Sequence, residues 1–240
     1  MDKQKFVNFI EKYNLDGLVN SAILSFKDNK LSTRFTSGDK SLLGMISMDK
    51  WDFEDGEFGV YDTTQLKSLL KVLDSDVQMK VNKAGDKAIS IQMSDSVSKI
   101  QYILSDTSVI NKPPAPENLP QDFDLKIEIN TQFIKKFIVG KDALAETDTF
   151  TITTNGGDTN VIIGYSSVNT NRVTIPVSTS EYTDMEIISF NANNFKNILK
   201  ANQECESAVL EVSPQGVARI TFNIDNYKST YYLVAVQDVD

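Results

Sequence analysis

The sequence predicts an α+β fold: two tandem, duplicated domains, each with antiparallel sheets backed by two helices. Three observations carry this. Short apolar–polar alternations dominate the chain, only four segments show a helical period, and the second half repeats the first at a nearly constant spacing. A chain of 240 residues has room for two domains of about 100–120 residues each.

In chain order, residues 2–14 read as a helix, with Phe6, Phe9, Ile10 and Tyr13 on one face and Lys5, Asn8 and Lys12 on the other. No clear strand precedes it. Alternating runs follow, of which Ala22-Ile23-Leu24-Ser25-Phe26 is typical, broken by turn signals such as Asp28-Asn29. Residues 63–73 form a second helix, with Leu66, Leu69, Leu70 and Leu73 as its buried stripe and Asp62 as its N-cap. Lys87–Met93 alternates again.

Residues 106–122 hold four of the six prolines. Proline lacks an N–H and drives its neighbour to extended backbone, so this stretch reads as a stiff, strand-like connector between a domain at 1–105 and one at 123–240. The second half opens with an extra strand at 123–129. Its helices fall at 130–144, with Phe133, Ile134, Phe137 and Ile138 inward, and at 191–202, capped by Asn191, with Phe195, Ile198 and Leu199 inward.

The halves align at an offset of 129: Tyr61-Asp62 on Phe190-Asn191, Leu66-Lys67 on Phe195-Lys196, Leu69-Leu70-Lys71 on Ile198-Leu199-Lys200, Lys99 on Lys228 and Tyr102 on Tyr231. A slip of two residues brings Gly85 onto Gly216. Each half then reads helix, four strands, helix, three strands.

Composition excludes much chemistry. There is one cysteine, Cys205, and no histidine, so intramolecular disulfides, His/Cys zinc sites and histidine-based acid–base catalysis are ruled out. No stretch approaches the ~20 apolar residues of a membrane span. The N-terminus lacks a signal peptide's apolar core, which predicts a cytosolic protein.

The net charge of −9 argues against a nucleic-acid partner until its distribution is read. The four helical segments carry ten lysines against Asp2, Glu11 and Asp142, a net of +7, and the remainder of the chain is at −16. Lysine is a good helix former, but so is glutamate, which appears in these segments once. Surface helices ordinarily mix both signs. The pattern predicts a positive helical surface in an otherwise negative protein. Lys5, Lys12, Lys67, Lys71, Lys135, Lys136, Lys196 and Lys200 are its principal phosphate contacts, and Lys3 and Lys141 are weaker ones. Lysine is a mobile point charge, suited to phosphate without base readout. The arginines, Arg34, Arg172 and Arg219, all lie outside these segments, which argues against reading guanine edges.

A tandem of α+β domains, a proline-rich connector and four basic helices together resemble a DNA polymerase sliding clamp, the processivity factor, of the T-even bacteriophage type. Phe58-Gly59-Val60-Tyr61-Asp62, running into the leucine-rich helix and an acidic turn at Asp74-Ser75-Asp76, is similar to that family, as is the closing strand Tyr227–Val236. The resemblance implies a head-to-tail homotrimer forming a ring around double-stranded DNA, independent of sequence. It implies a tether for the replicative DNA polymerase in viral DNA replication, an ATP-dependent clamp loader as a separate partner, and a location in the cytoplasm of the infected bacterial host. It also implies a partner-peptide pocket near the connector and the last strand, formed by Val109, Ile110, Leu119, Tyr232, Leu233 and Val236. No enzyme activity, cofactor, metal or membrane contact is expected.

Two rival classes fit the sequence less well. A structural β-rich phage assembly protein has no need of basic helices. A carboxylate-only hydrolase requires a paired acidic site, and no pair stands out. Gly38-Asp39-Lys40-Ser41 matches the end of a phosphate-binding loop without its upstream glycines and reads as a hairpin. Asp52–Glu57 is an acidic loop without the calcium pattern. Cys205 reads as a small buried residue, and Trp51 as either a core residue or a contact.

Overall fold

The computed structural model describes residues 2–74, 76–114, 119–168 and 170–236. The chain forms two compact units, residues 1–37 with 44–113 and residues 38–43 with 114–240. The change of unit between Pro113 and Pro114 lies inside the proline-rich connector.

Unit 1 begins with helix α1 (Lys3–Asn14), capped by Asp2, whose carboxylate accepts from the Gln4 and Lys5 amides. No strand precedes α1 among the described residues; Asp2 makes a single bridge with Asp76. Strands β1 (Ala22–Lys27), β2 (Lys30–Thr36), β3 (Leu42–Asp49) and β4 (Gly56–Val60) follow, in the order β3-β2-β1-β4. Their alternation is the predicted one: Ala22, Leu24 and Phe26 on β1 and Leu31, Thr33 and Phe35 on β2 are buried. Gly44 is needed here, because a Cβ on it would meet the Phe35 ring at 2.1 Å.

Helix α2 (Thr63–Leu70) starts at Asp62, which accepts from the Gln65 amide at 2.8 Å. It stops three residues before the predicted end. Lys71–Leu73 continue as tighter turns, in which Val72 and Leu73 donate to Leu69 and Leu70. Strands β5 (Gln78–Ala84), β6 (Lys87–Ser94) and β7 (Lys99–Ile103) make a three-stranded antiparallel sheet with β7 at an edge.

The start of the connector is not strand-like, contrary to the proline-based expectation. Thr107–Val109 form a short 3-10 turn because Asp106 caps it through the Ser108 amide at 3.0 Å and pairs with Lys87 at 2.6 Å. Local capping outweighs the extended bias, and the prolines begin only at 113.

Unit 2 opens with the extra strand, β8 (Leu125–Asn130), which leads directly into helix α3 (Thr131–Ala143). Strands β9 (Thr149–Asn155), β10 (Asp158–Ile163), β11 (Val173–Val177), β12 (Thr179–Glu181) and β13 (Ile188–Asn191) come next, then helix α4 (Ala192–Ala201) and β14 (Ser207–Ser213), β15 (Val217–Ile224) and β16 (Tyr227–Val234). This departs from the four-strand expectation. The run 173–181 serves two sheets: β11 pairs with β10, the chain shifts at Ser178, whose carbonyl accepts from Glu128, and β12 pairs with β8. The sheets of unit 2 therefore run β12-β8-β14-β15-β16 and β11-β10-β9-β13.

The core of unit 2 is aromatic. Phe195 lies 4.9 Å from Phe137, 4.7 Å from Phe150 and 6.4 Å from Phe133, ring centre to ring centre. Buried polar groups are paired where the chain turns: Asn202 donates to the Tyr231 hydroxyl and to the Ile198 carbonyl.

The repeat is visible in function-bearing details. Asp62 and Asn191, 129 apart, both cap the amide three residues on. Gly85 and Gly216 both sit at positive φ, +61° and +86°, in the turns β5–β6 and β14–β15. In each unit the two helices pack against one another, α1 on α2 and α3 on α4.

Candidate nucleic-acid interface

Each helix pair buries apolar residues, and most of the helical lysines fall on the remaining surface. Lys5, Lys71, Lys135, Lys136 and Lys200 are exposed, and Lys3, Lys67 and Lys196 are half-buried. Lys71, Lys135, Lys136 and Lys200 make no ion pair among the described residues. Lys3 donates to the Leu73 carbonyl, closing the end of α2 onto the start of α1.

Two of the ten lysines are not on the surface. Lys12 is 1% exposed and Lys141 is 2% exposed. Both sit in the last turn of a helix, where cations favour the negative end of the dipole. Lys141 turns back on its own helix end and donates to the carbonyls of Leu144 and Ala145. These two structural lysines are unsuited to contacting a phosphate.

Two others are paired across each helix couple. Lys67 on α2 lies 3.7 Å from the Glu11 carboxylate on α1 and 3.4 Å from the Asn14 amide oxygen. Lys196 on α4 lies 3.0 Å from the Asp142 carboxylate on α3. The Lys196 hydrogen bond, reinforced by the charges of Lys196, Lys200 and Lys141, holds the Asp142 carboxyl below the usual range. In the sequence Glu11 and Asp142 register only as charges. Their partners stand 56 and 54 positions away, so sequence periodicity gave no signal for the pairs.

The residues assigned to a partner pocket scatter in burial. Ile110, Tyr232 and Leu233 are buried side chains of their units, Leu119 is half-buried, and Val109 and Val236 are exposed. Ile110 packs near Gly59, where the chain passes so close that a Cβ would meet the Ser105 carbonyl at 2.4 Å. Tyr232 pairs across the sheet with Arg219, whose guanidinium stands over the Phe123 ring at 4.4 Å and pairs with Glu211 at 2.6 Å. Unit 2 has an open recess of about 390 Å³ beside its last strand, lined by Met185, Ile187, Pro214, Gly216 and Ala235 together with the acids Asp124, Asp184 and Glu186. None of the six predicted pocket residues lines it. The segment 183–188 that forms one wall gives no motif in the sequence.

The remaining sequence features are structural. Ser41 of the phosphate-loop look-alike bonds Asp39, and its carbonyl accepts from Val234. Trp51 is buried against Phe6 at 5.6 Å, which resolves it as core. Cys205 is buried, and its thiol donates to the Ser207 carbonyl at 3.0 Å. Among the described residues no cluster of three metal-ligating side chains occurs, and no helix is long and apolar enough to cross a membrane.

The sequence matches no known family model and no curated protein. Solved structures do match. Proliferating Cellular Nuclear Antigen from Entamoeba histolytica is similar over 98% of this chain and 96% of its own, with a TM-score of 0.75 at 16% identity. The PCNA2–PCNA3 complex from Sulfolobus tokodaii matches over 98% and 97%, with a TM-score of 0.72 at 15% identity. The A. fulgidus PCNA structure with the C-terminal region of FEN-1 bound matches over 100% and 98%, with a TM-score of 0.78 at 13% identity. At such identities the likeness speaks to the fold, and it does so over the whole chain: this protein has the two-domain PCNA fold.

Proposed function

We propose that the protein is a sliding clamp, a processivity factor that surrounds duplex DNA without reading its sequence and tethers a DNA polymerase. The observation that carries this is the segregation of charge on this fold. The four helical segments are net positive, with Lys5, Lys71, Lys135, Lys136 and Lys200 exposed on them, while the rest of the chain is strongly acidic. An assembly protein gains nothing from that arrangement.

A two-domain chain needs three copies to close a six-domain ring, by head-to-tail contacts. Two sheet edges support such contacts: β7 ends the three-stranded sheet of unit 1, and β11 ends the four-stranded sheet of unit 2. Ile103, at the end of β7, is 67% exposed. An edge of this kind invites another strand. Phosphate contacts equivalent at every register then guide the ring along DNA without trapping it, and salt shortens the field to about 8–10 Å.

In this reading the clamp is a non-catalytic scaffold. A polymerase peptide with an apolar anchor and a flanking base fits the recess of unit 2 better than the buried residues named from sequence. The T-even phage type, the separate ATP-dependent loader and the infected-cell cytoplasm remain part of the proposal, resting on the sequence resemblance.

Solution mass tests the assembly. Light scattering at micromolar protein is expected to give a trimer of about 80 kDa, three times the chain mass. A mass fixed at that of one chain across the concentration range would contradict the ring.

A further inference from the structure

We propose that Glu11 and Asp142 moderate the grip of the helices on DNA, each drawing one lysine back and presenting a carboxylate where an ammonium would otherwise stand. This inference rests on the clamp reading above.

The four helical segments hold three acids. Asp2 is occupied in capping α1. The other two recur in the same arrangement: an acid near the end of the first helix of a unit faces a lysine in the middle of the second. Lys67 and Lys196 are 129 apart, the offset of the repeat.

In both pairs the acid is the more exposed partner. The Lys67 side chain is 25% exposed against 51% for Glu11, and Lys196 is 19% exposed against 54% for Asp142. A phosphate approaching either place meets the carboxylate first. Pairs this exposed contribute little to stability, so helix stapling is a weak reason for having the arrangement twice. For a ring that must move, holding back one cation per helix pair lowers the cost of leaving each register. The lysines that grip are then Lys71, Lys135, Lys136 and Lys200, and Lys67 and Lys196 are held in reserve.

The test compares the full-length protein with the double variant Glu11→Gln, Asp142→Asn and with two lysine variants, Lys67→Gln with Lys196→Gln and Lys71→Gln with Lys200→Gln. The probe is a fluorescent mixed-sequence duplex, followed by anisotropy over a salt series, with thermal unfolding recorded for each protein. The acid variant is expected to bind about tenfold tighter, with a salt slope steeper by up to about 2 per chain, one for each lysine released. The Lys67/Lys196 variant is expected to bind nearly as the parent does, and the Lys71/Lys200 variant markedly more weakly. Unchanged affinity and slope in the acid variant, with or without a lower unfolding temperature, would overturn the proposal while leaving the clamp reading intact. So would equal losses in the two lysine variants. Absence of duplex binding by the parent protein would overturn both readings.

Discussion

Replacing Lys71, Lys135, Lys136 and Lys200 by glutamate is expected to leave the fold intact and to abolish stimulation of long-product synthesis by the cognate polymerase. Duplex affinity should fall by more than about a hundredfold at low salt, because each reversal removes a phosphate contact and adds a repulsion. The four side chains are exposed and have no ion-pair partner among the described residues, so their loss costs little stability. Circular dichroism and an unchanged unfolding transition check the fold, and primer extension on a long template checks the function. The same reversal at Lys12 or Lys141 is a different experiment, since those side chains are buried and their loss damages the fold itself. Undiminished stimulation by the four-residue variant would remove the electrostatic basis of the account.

The largest stability effect is expected at Phe195. Its ring is fully buried and meets Phe133, Phe137 and Phe150, joining both helices of unit 2 to β9. Phe195→Ala removes the shared neighbour of three aromatic contacts and leaves a cavity that rigid strands cannot collapse to fill. The expected cost is about 3–5 kcal/mol, with a thermal midpoint lower by roughly 10 °C or more. Urea denaturation monitored by tyrosine fluorescence and circular dichroism measures it. A loss below about 1 kcal/mol would mean the cluster does not organise the unit.

Most of the architecture was legible because its signals are local. Asp62 and Asn191 announce their helices by a short side chain before an apolar stripe, and both caps form with the expected amides. Period-two alternation placed β1, β6 and β15, which lie in sheets with one face covered. What was lost depends on contacts remote in sequence or on chain reversal. The helical wheel put Lys12 outward. It is 1% exposed, and the chain beyond α1 passes through two left-handed residues, Leu15 at φ 47° and Asp16 at φ 61°.

The burial of Tyr232 and Leu233 was not legible either. Five consecutive residues of β16, Ser229 to Leu233, are buried, so alternation no longer separates a core side from an open side. The double role of 173–181 was hidden too, because a strand that changes sheets keeps its extended pattern throughout. The cationic surface was legible as a count, yet which lysines are available was not. That depends on Glu11 and Asp142 lying across from Lys67 and Lys196, a fact of helix packing.

The central claim is topological: the protein holds DNA by surrounding it. Binding should therefore be compared on one linear duplex prepared with both ends free and with both ends capped by a bulky protein block, at low salt and micromolar protein. A ring threads onto the free-ended duplex and is excluded from the capped one, so the account predicts retention on the first and little on the second. Equal binding to both would show a surface contact with no encirclement and would contradict it.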